Sequence, residues 1–599
     1  MLSTPSDQSE GVASSLDALG VAPATIGRVA HGTTVVTNLL LERRGSRVAL
    51  CATKGATDLL ELRRQDRAAL YDLSAQHPVP LVDASHVVAV AERRTPRGVS
   101  LALTEAETDR VADAVVALDP EVVVISLLHA YGDDAHEQML AAAISQRLPK
   151  VDVVRSVEIL PELREYERTA TAVVEGYARP SVSRYLAHLS SRLERDGYPA
   201  PQVMTSGGGM RSAPEGARAA ASLALSGPAG GVVGAAAVLC AAGLNRALTI
   251  DIGGTSADAG LILDGEALVE PGGRVAGVPI ALPRVLVETV SAGGGSIAWM
   301  DDGGALRVGP RSAGAVPGPV AFGRGGTQPT VTDAHITLGR LDAVRLSGGV
   351  TLDAHAARAA VANLARMLGA TTERTAAAIV AIADAEVARA LRRVSVERGI
   401  DPRSCTLVAF GGGGPLHACA LADLLGMRSI LVPPCAGVLS ALGLAIAPQR
   451  REAATSVMVE TTRVETAQFG ASLEALARRA GPVGGAVRHQ WHARVRYAGQ
   501  GHELDLAVAP GDDGGVIGAR FATAHRGRYG FTLDRAVEVV AVRVAATGDP
   551  VAIDFSAIAE PSVELRGPSV MALPDATMVV ADGWTARSLP IGGWMVERA

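Results

Sequence analysis

Two aspartates, Asp251 and Asp258, bracket Gly253, Gly254, Thr255 and Ser256 in the stretch LTIDIGGTSADAGLI, residues 248–262. Glycines let a backbone approach an anion, amide N–H groups and hydroxyls donate to phosphate oxygens, and a carboxylate holds Mg²⁺ or its water shell. The order is that of a phosphate turn between two acids. Apolar β-forming runs on both sides predict strand, turn and strand. Asp251, at a strand end, is the candidate metal ligand and catalytic acid, and Gly253 to Ser256 are candidate phosphate donors. Asp258 suits either a second catalytic carboxylate or a cap of the turn.

Four more glycine-rich stretches could join it. LVAFGGGGPLHA, residues 407–418, reads as strand, glycine turn and helix start. Gly411, Gly412, Gly413 and Gly414 would place bare backbone and a helix N-terminus beside a ligand, as suits an adenosine moiety. His417 follows as a further ligand contact or as a structural histidine. AHGTTVVTN, residues 30–38, offers His31, Thr33, Thr34 and Asn38 as polar groups that could converge, against the reading of a turn or cap. Residues 291–340 concentrate glycine and proline, and their apolar interruptions predict an ordered binding region. Asp333 and His335 are its candidate polar groups, with a capped helix start at TDAHITLG as the alternative. TSGGGM, residues 205–210, reads as a tight turn.

Several chemistries are excluded. None of these stretches fits GxGxxG at strand-to-helix spacing, and neither lysine, Lys54 or Lys150, lies in GxxxxGK[ST]. No GxSxG stands in a strand-turn-helix context, HExxH is absent, and His136–Glu137 is a lone pair at a helix start. Cys51, Cys240, Cys405, Cys419 and Cys435 are scattered without CxxC spacing, so free thiols in a reducing cytoplasm are expected.

The elements that must position these groups are legible in outline. At 599 residues and 48% hydrophobic composition the chain calls for several domains. A net charge of -6 with mixed signs gives no nucleic-acid footprint and no polybasic membrane tail. The N-terminus has no signal-peptide pattern, and the run AGGVVGAAAVLCAAGL is shorter than the roughly 18 residues of a membrane span, so it predicts a buried helix. Alternating strands and helices through about residue 450 predict α/β architecture; VVVISLLHAY is a buried strand and HEQMLAAAISQRL the helix behind it. Residues 353–399 predict a helical hairpin broken near Gly369. Beyond APQRREAATS, RVRYAGQGHELDLAVAP and VEVVAVRVAATGDP alternate as antiparallel strands, which predicts a separate β-rich domain.

In this order, HGTTVVTNLLLERRGSRVALCATKG, EILPELREYERTATAVVEGY, SGPAGG, TIDIGGTSAD, SAGGGSIAWMD, VGPRSAGAVPGPVAFGRGG, TVTDAHITLGRL, SVERGIDPRSCTLVAFGGGGPLHA and VPPCAGVLSALGLA resemble the hydantoinase A/oxoprolinase family across nearly the whole chain. That family includes ATP-dependent lactam-opening subunits and the acetone carboxylase beta chain. The resemblance implies a two-lobed actin/hexokinase-like (ribonuclease H-like) ATPase fold with ATP and Mg²⁺ as cofactors. It implies segments 1–178 (N-terminal lobe), 179–450 (ATPase-type domain) and 451–599 (β-rich domain). It also implies a small cyclic amide such as 5-oxoproline or hydantoin as substrate, or a ketone in the carboxylase variant. A B-type subunit as partner, an oligomer, cytoplasmic location, and neither nucleic acid nor membrane as partner complete the expectation. DIGGTSAD matches the family's second phosphate hairpin and FGGGGPLH its adenosine loop. The family's first hairpin, DxGGTFTD, precedes the segment matching LSTP, at which this sequence begins. A start placed too late in the reading frame is the expected reason, a scaffold that has lost ATP binding the alternative, and weak ATP binding of the chain as written follows from either. Ala257, where the family's hairpin often carries Thr, removes one hydroxyl and leaves Thr255 and both acids.

Overall fold

The computed structural model describes residues 8–341, 351–558 and 562–599. Its first part holds a parallel sheet in the order Val87–Val90, Val48–Thr53, Val122–Ser126, Asp152–Arg155. Val48–Thr53 and Val122–Ser126 are buried at every position, which explains their unbroken apolar runs. The helix Glu165–Arg195 lies against this sheet; a Cβ on Gly176 would come 2.7 Å from Val124, so the glycine sets the approach. A smaller sheet pairs Val29–His31 with Pro201–Met204 in parallel, and Met210–Ser212 closes it antiparallel.

The candidate turns sit on the largest sheet. Its strands run Glu266–Ala267, Ala257–Leu263, Ala247–Ile252, Thr406–Phe410, Ser429–Val432, Trp594–Arg598, Trp584–Ser588, Glu564–Arg566, with Val287–Val290 also against Ala257–Leu263. Ala247–Ile252, Thr406–Phe410 and Ser429–Val432 are parallel to one another. The helices Ser226–Ala241, Thr372–Val394 and Gly414–Leu425 share its apolar core through Val232, Leu391 and Leu421. Ser226–Ala241, the expected buried helix, crosses Leu439–Ile446 backbone to backbone: a Cβ on Gly443 would lie 1.9 Å from the Gly230 carbonyl oxygen. The helical hairpin forms as Ala354–Met367 and Thr372–Val394, turning at Gly369 with φ 64°.

The architecture is mixed α/β with a β-rich C-terminal region, and that region is divided between two sheets. Residues from Arg450 to Thr547 make an antiparallel sheet ordered Arg450–Glu460, Val537–Thr547, Arg488–Tyr497, Leu504–Val508, packed on the helices Thr466–Ala480 and Gly514–Tyr529 through Leu473, Val495 and Phe521. Residues 564–598 instead return to the largest sheet. They do so because Ser429–Val432 is otherwise an edge with buried Ile430 and Leu431, and Trp594 and Val596 cover it. All five cysteines are unpaired, and no helix among the described residues is long and apolar enough to cross a membrane.

Candidate functional site

Ala247–Ile252 and Ala257–Leu263 form the expected hairpin, with Gly253 to Ser256 as its turn and the Gly253 N–H donating to the Ser256 carbonyl at 3.0 Å. Register places Asp251 directly opposite Asp258, so both carboxylates rise from one face of the hairpin. Gly253, Gly254 and Thr255 are exposed, and a Cβ on Gly254 would meet nothing within 4 Å. The turn thus presents open backbone, with two half-buried acids behind it.

Burial opposes the charge of both acids. Burial raises the Asp251 carboxyl above its ordinary range, partly offset by the Ser440 hydroxyl donating at 3.1 Å. Burial pushes Asp258 up to about 6; the Thr289 hydroxyl donates to it and pulls down, while the Asp251 charge pushes further up. No group of three or more His, Cys, Asp or Glu side chains able to hold a metal exists among the described residues. Two carboxylates beside an open anion turn suit Mg²⁺, which keeps waters and takes phosphate oxygens instead of a full protein cage.

The second glycine turn touches the first. Thr406–Phe410 leads into Gly411, whose N–H donates to the Ala436 carbonyl at 2.8 Å, and the Gly413 N–H donates to Ile252 at 2.9 Å. Gly411 has φ 78°, and a Cβ there would lie 2.2 Å from Asp251 Oδ1, so backbone conformation and the neighbouring carboxylate both demand glycine. Gly412 faces open space, and Gly414 begins the helix Gly414–Leu425.

A third glycine stretch braces the hairpin. The N–H groups of Gly294 and Gly295 donate to the carbonyls of Gly253 and Gly254 at 3.0 and 2.6 Å, and Thr332 donates through its hydroxyl and N–H to Gly294. Thr332 lies in the helix Val331–Thr337, where the structure gives Asp333 a different task from the expected catalysis. Asp333 is fully buried and accepts from the Thr330 N–H and hydroxyl and from the N–H groups of Val320 and Ala321. It is the N3 partner of a capping box, holding the helix that holds the brace.

His335 and His417 are likewise enclosed. Their Nε2 atoms lie 3.1 Å apart, and His417 Nδ1 lies 2.5 Å from Asp384 Oδ1, a partner that sequence reasoning missed. With His417 donating to Asp384, its Nε2 accepts from His335, and His335 Nδ1 is left buried without a partner. Burial and the neighbouring His417 lower the His335 pKa, so that ring is neutral. This relay ties the helix after the adenosine-type turn to Val331–Thr337 and Thr372–Val394. Only the helical period of Asp384, its acid on an otherwise apolar stripe, could have marked it in the sequence.

On the opposite part of the chain, Thr33 is buried and its N–H and carbonyl both bond the Ser226 hydroxyl, at 3.3 and 3.1 Å. Thr34 is exposed at the start of the helix Val35–Glu42, with Asn38 Nδ2 donating to its hydroxyl at 3.4 Å. His31 accepts from or donates to the Tyr185 hydroxyl at 2.8 Å, and burial lowers its pKa to about 4. A Cβ on Gly32 would reach Leu444 at 3.2 Å, so this turn and the hairpin attach to the same crossed helix pair, through Leu444 and Ser440.

The fold and site together define a mixed α/β protein with an acid-backed glycine hairpin, a second glycine turn beside it and a glycine-seamed helix crossing behind both. Two family models match, Hydantoinase/oxoprolinase over residues 168–453 and Hydantoinase/oxoprolinase N-terminal region over residues 1–148. The chain belongs to the hydantoinase/oxoprolinase family. It is 37% identical to an uncharacterised protein of Methanocaldococcus jannaschii, over 91% of this chain and 83% of the relative. It is 33% identical to the caprolactamase subunit alpha of Pseudomonas jessenii, over 85% of this chain and 76% of the relative. The crystal structure of the ATP-dependent caprolactamase from Pseudomonas jessenii superposes with a TM-score of 0.88 at 29% identity, covering 100% of this chain and 96% of that one.

Proposed function

We propose that this chain is the ATP-using subunit of an enzyme that opens a cyclic amide, and that its fold is of the two-lobed actin/hexokinase-like class. The observation that carries the reading is the cross-strand pair Asp251 and Asp258 behind an open turn of glycines and hydroxyls, with the Gly411–Gly414 turn against Asp251. The caprolactamase likeness supports ATP use and an amide substrate, and its subunit name supports a partner chain.

When bound, Mg-ATP supplies a phosphoryl group for the amide oxygen, which turns a resonance-stabilised carbonyl into one that water can open. The chain's residues position and neutralise. Asp251 and Asp258 would hold Mg²⁺ or its waters, whose charge would offset the repulsion by which Asp251 raises the Asp258 carboxyl. The N–H groups of Gly254 to Ser256 and the Thr255 and Ser256 hydroxyls would take phosphate oxygens, while Gly412 leaves room for the nucleoside. Thr34 stands exposed on the other side of the helix crossing as a further phosphate contact, and buried Thr33 holds that turn in place through Ser226. A B-type subunit completes hydrolysis, and a cyclic amide such as 5-oxoproline, hydantoin or caprolactam is the substrate.

The test is phosphate release from Mg-ATP with 5-oxoproline, hydantoin, caprolactam, and acetone plus bicarbonate, each with and without a B-type partner. Stimulation by a lactam supports the reading; stimulation by acetone plus bicarbonate alone moves it to ketone activation. Release unaffected by every substrate, in this chain and in one extended upstream to include a DxGGTFTD hairpin, overturns it.

A further inference from the structure

A cavity of about 850 Å³ lies away from both glycine turns: none of residues 253–256 or 411–414 lines it. Its wall is shared by three parts of the chain, the 205–222 segment, the far end of the hairpin at residues 263–271, and the C-terminal antiparallel sheet at 450–454, 490–492 and 543–545. The volume lies within the usual range of small-molecule sites, roughly 300–1,000 Å³.

Charge decides what fits. Inside the cavity the acids are already matched: Glu162 pairs with Arg494 and Arg543, Glu452 with Arg450, and Glu175 with Arg179 and the N–H groups of Ala220 and Ala221. Arg211, on the strand Met210–Ser212 beside the TSGGGM turn, forms no ion pair or side-chain hydrogen bond among the described residues, and its Nε is buried without a partner. Arg218 on the same wall also forms no ion pair or side-chain hydrogen bond among the described residues; of the lining acids, Asp264 sits exposed in a turn and Asp505 pairs with His492. Burial and the neighbouring Arg451 lower the Arg211 pKa, and the charges of Glu452, Glu215 and Glu175 act against them without any of these carboxylates bonding the guanidinium.

We propose that this cavity is a binding site for a small oxyanion, its two oxygens taken by the forked guanidinium of Arg211 with Arg218 at the mouth. The planar fork matches a carboxylate or a phosphate bidentately. The proposal is independent of ATP use at the hairpin.

Glutarate and inorganic phosphate serve as probes, titrated into the full chain by calorimetry and by thermal melting. Saturable binding of either, with a rise in Tm, is expected; which one binds tells carboxylate from phosphate. Arg211→Gln is expected to weaken that binding about tenfold or more, and Arg211→Lys, which keeps charge but loses the fork, to weaken it less. Arg211→Gln is also expected to leave the ligand-free Tm unchanged, because no ion pair or side-chain hydrogen bond is lost with it; a structural arginine would lower it. Absence of saturable binding by both anions, or equal affinity in Arg211→Gln, overturns the proposal.

Discussion

At the scale of single residues, Asp258 trades stability for chemistry. Its carboxyl titrates at about 6 in the folded chain against an ordinary 3.8, so the folded state holds the proton more tightly than the unfolded one. Its contribution is therefore most favourable below about pH 4 and is lost as pH rises through about 6. Asp258→Asn should match the wild type near pH 4 and exceed it by about 1–2 kcal/mol at pH 7, read from thermal melts across that range, while Mg-ATP turnover is lost. Equal pH dependence in both proteins would refute this. Asp384→Asn, by contrast, breaks a buried pair with His417 and should cost about 3 kcal/mol or more in chemical denaturation. The hairpin acids were legible in the sequence because glycines and hydroxyls stand between them at fixed offsets. Asp384 was not, since its partner His417 lies 33 residues away along the chain. Asp333 and His335 looked reactive for a related reason: one polar pair near a helix start reads alike whether it faces a ligand or a cap, and only burial separates the two.

At the scale of elements, the glycines of SGPAGG and AGVLSALGLA find their meaning in the crossing of Ser226–Ala241 with Leu439–Ile446. Gly443→Ala places a methyl within 1.9 Å of the Gly230 carbonyl oxygen, so the helices must part. A loss of about 2–3 kcal/mol in urea unfolding is expected, with weaker ATP binding because Ser440 and Asp251 separate together. An unchanged Cm would show that the crossing yields more easily than its geometry implies. Gly411→Ala should abolish ATP binding through a different route, since its Cβ would enter the Asp251 carboxylate. Local periodicity foretold the helical hairpin at 353–399 and the strands of residues 488–547, whose patterns are set by one buried face. Close helix approach leaves no periodic signal; the small apolar run there predicted a buried helix but not the helix that crosses it.

At the scale of the whole molecule, composition placed a β-rich stretch after residue 450 but could not show that 564–598 leaves it for the largest sheet, because strand partners far apart in sequence carry no shared local pattern. Removing residues 562–599 should uncover Ser429–Val432 as an apolar edge, and the shortened chain is expected in the insoluble fraction on expression. Recovery of a soluble, monomeric product by size-exclusion chromatography would contradict that. The return of Trp594–Arg598 to Ser429–Val432 also orders events during synthesis. The sheet opened by Ala247–Ile252 cannot gain its Trp594–Arg598 strand until residue 598 has left the ribosome, so the hairpin's own sheet is completed after the strands from Arg450 to Thr547 have all emerged. The nascent chain must keep that edge apart from its neighbours on the same message while residues 433–593 are made.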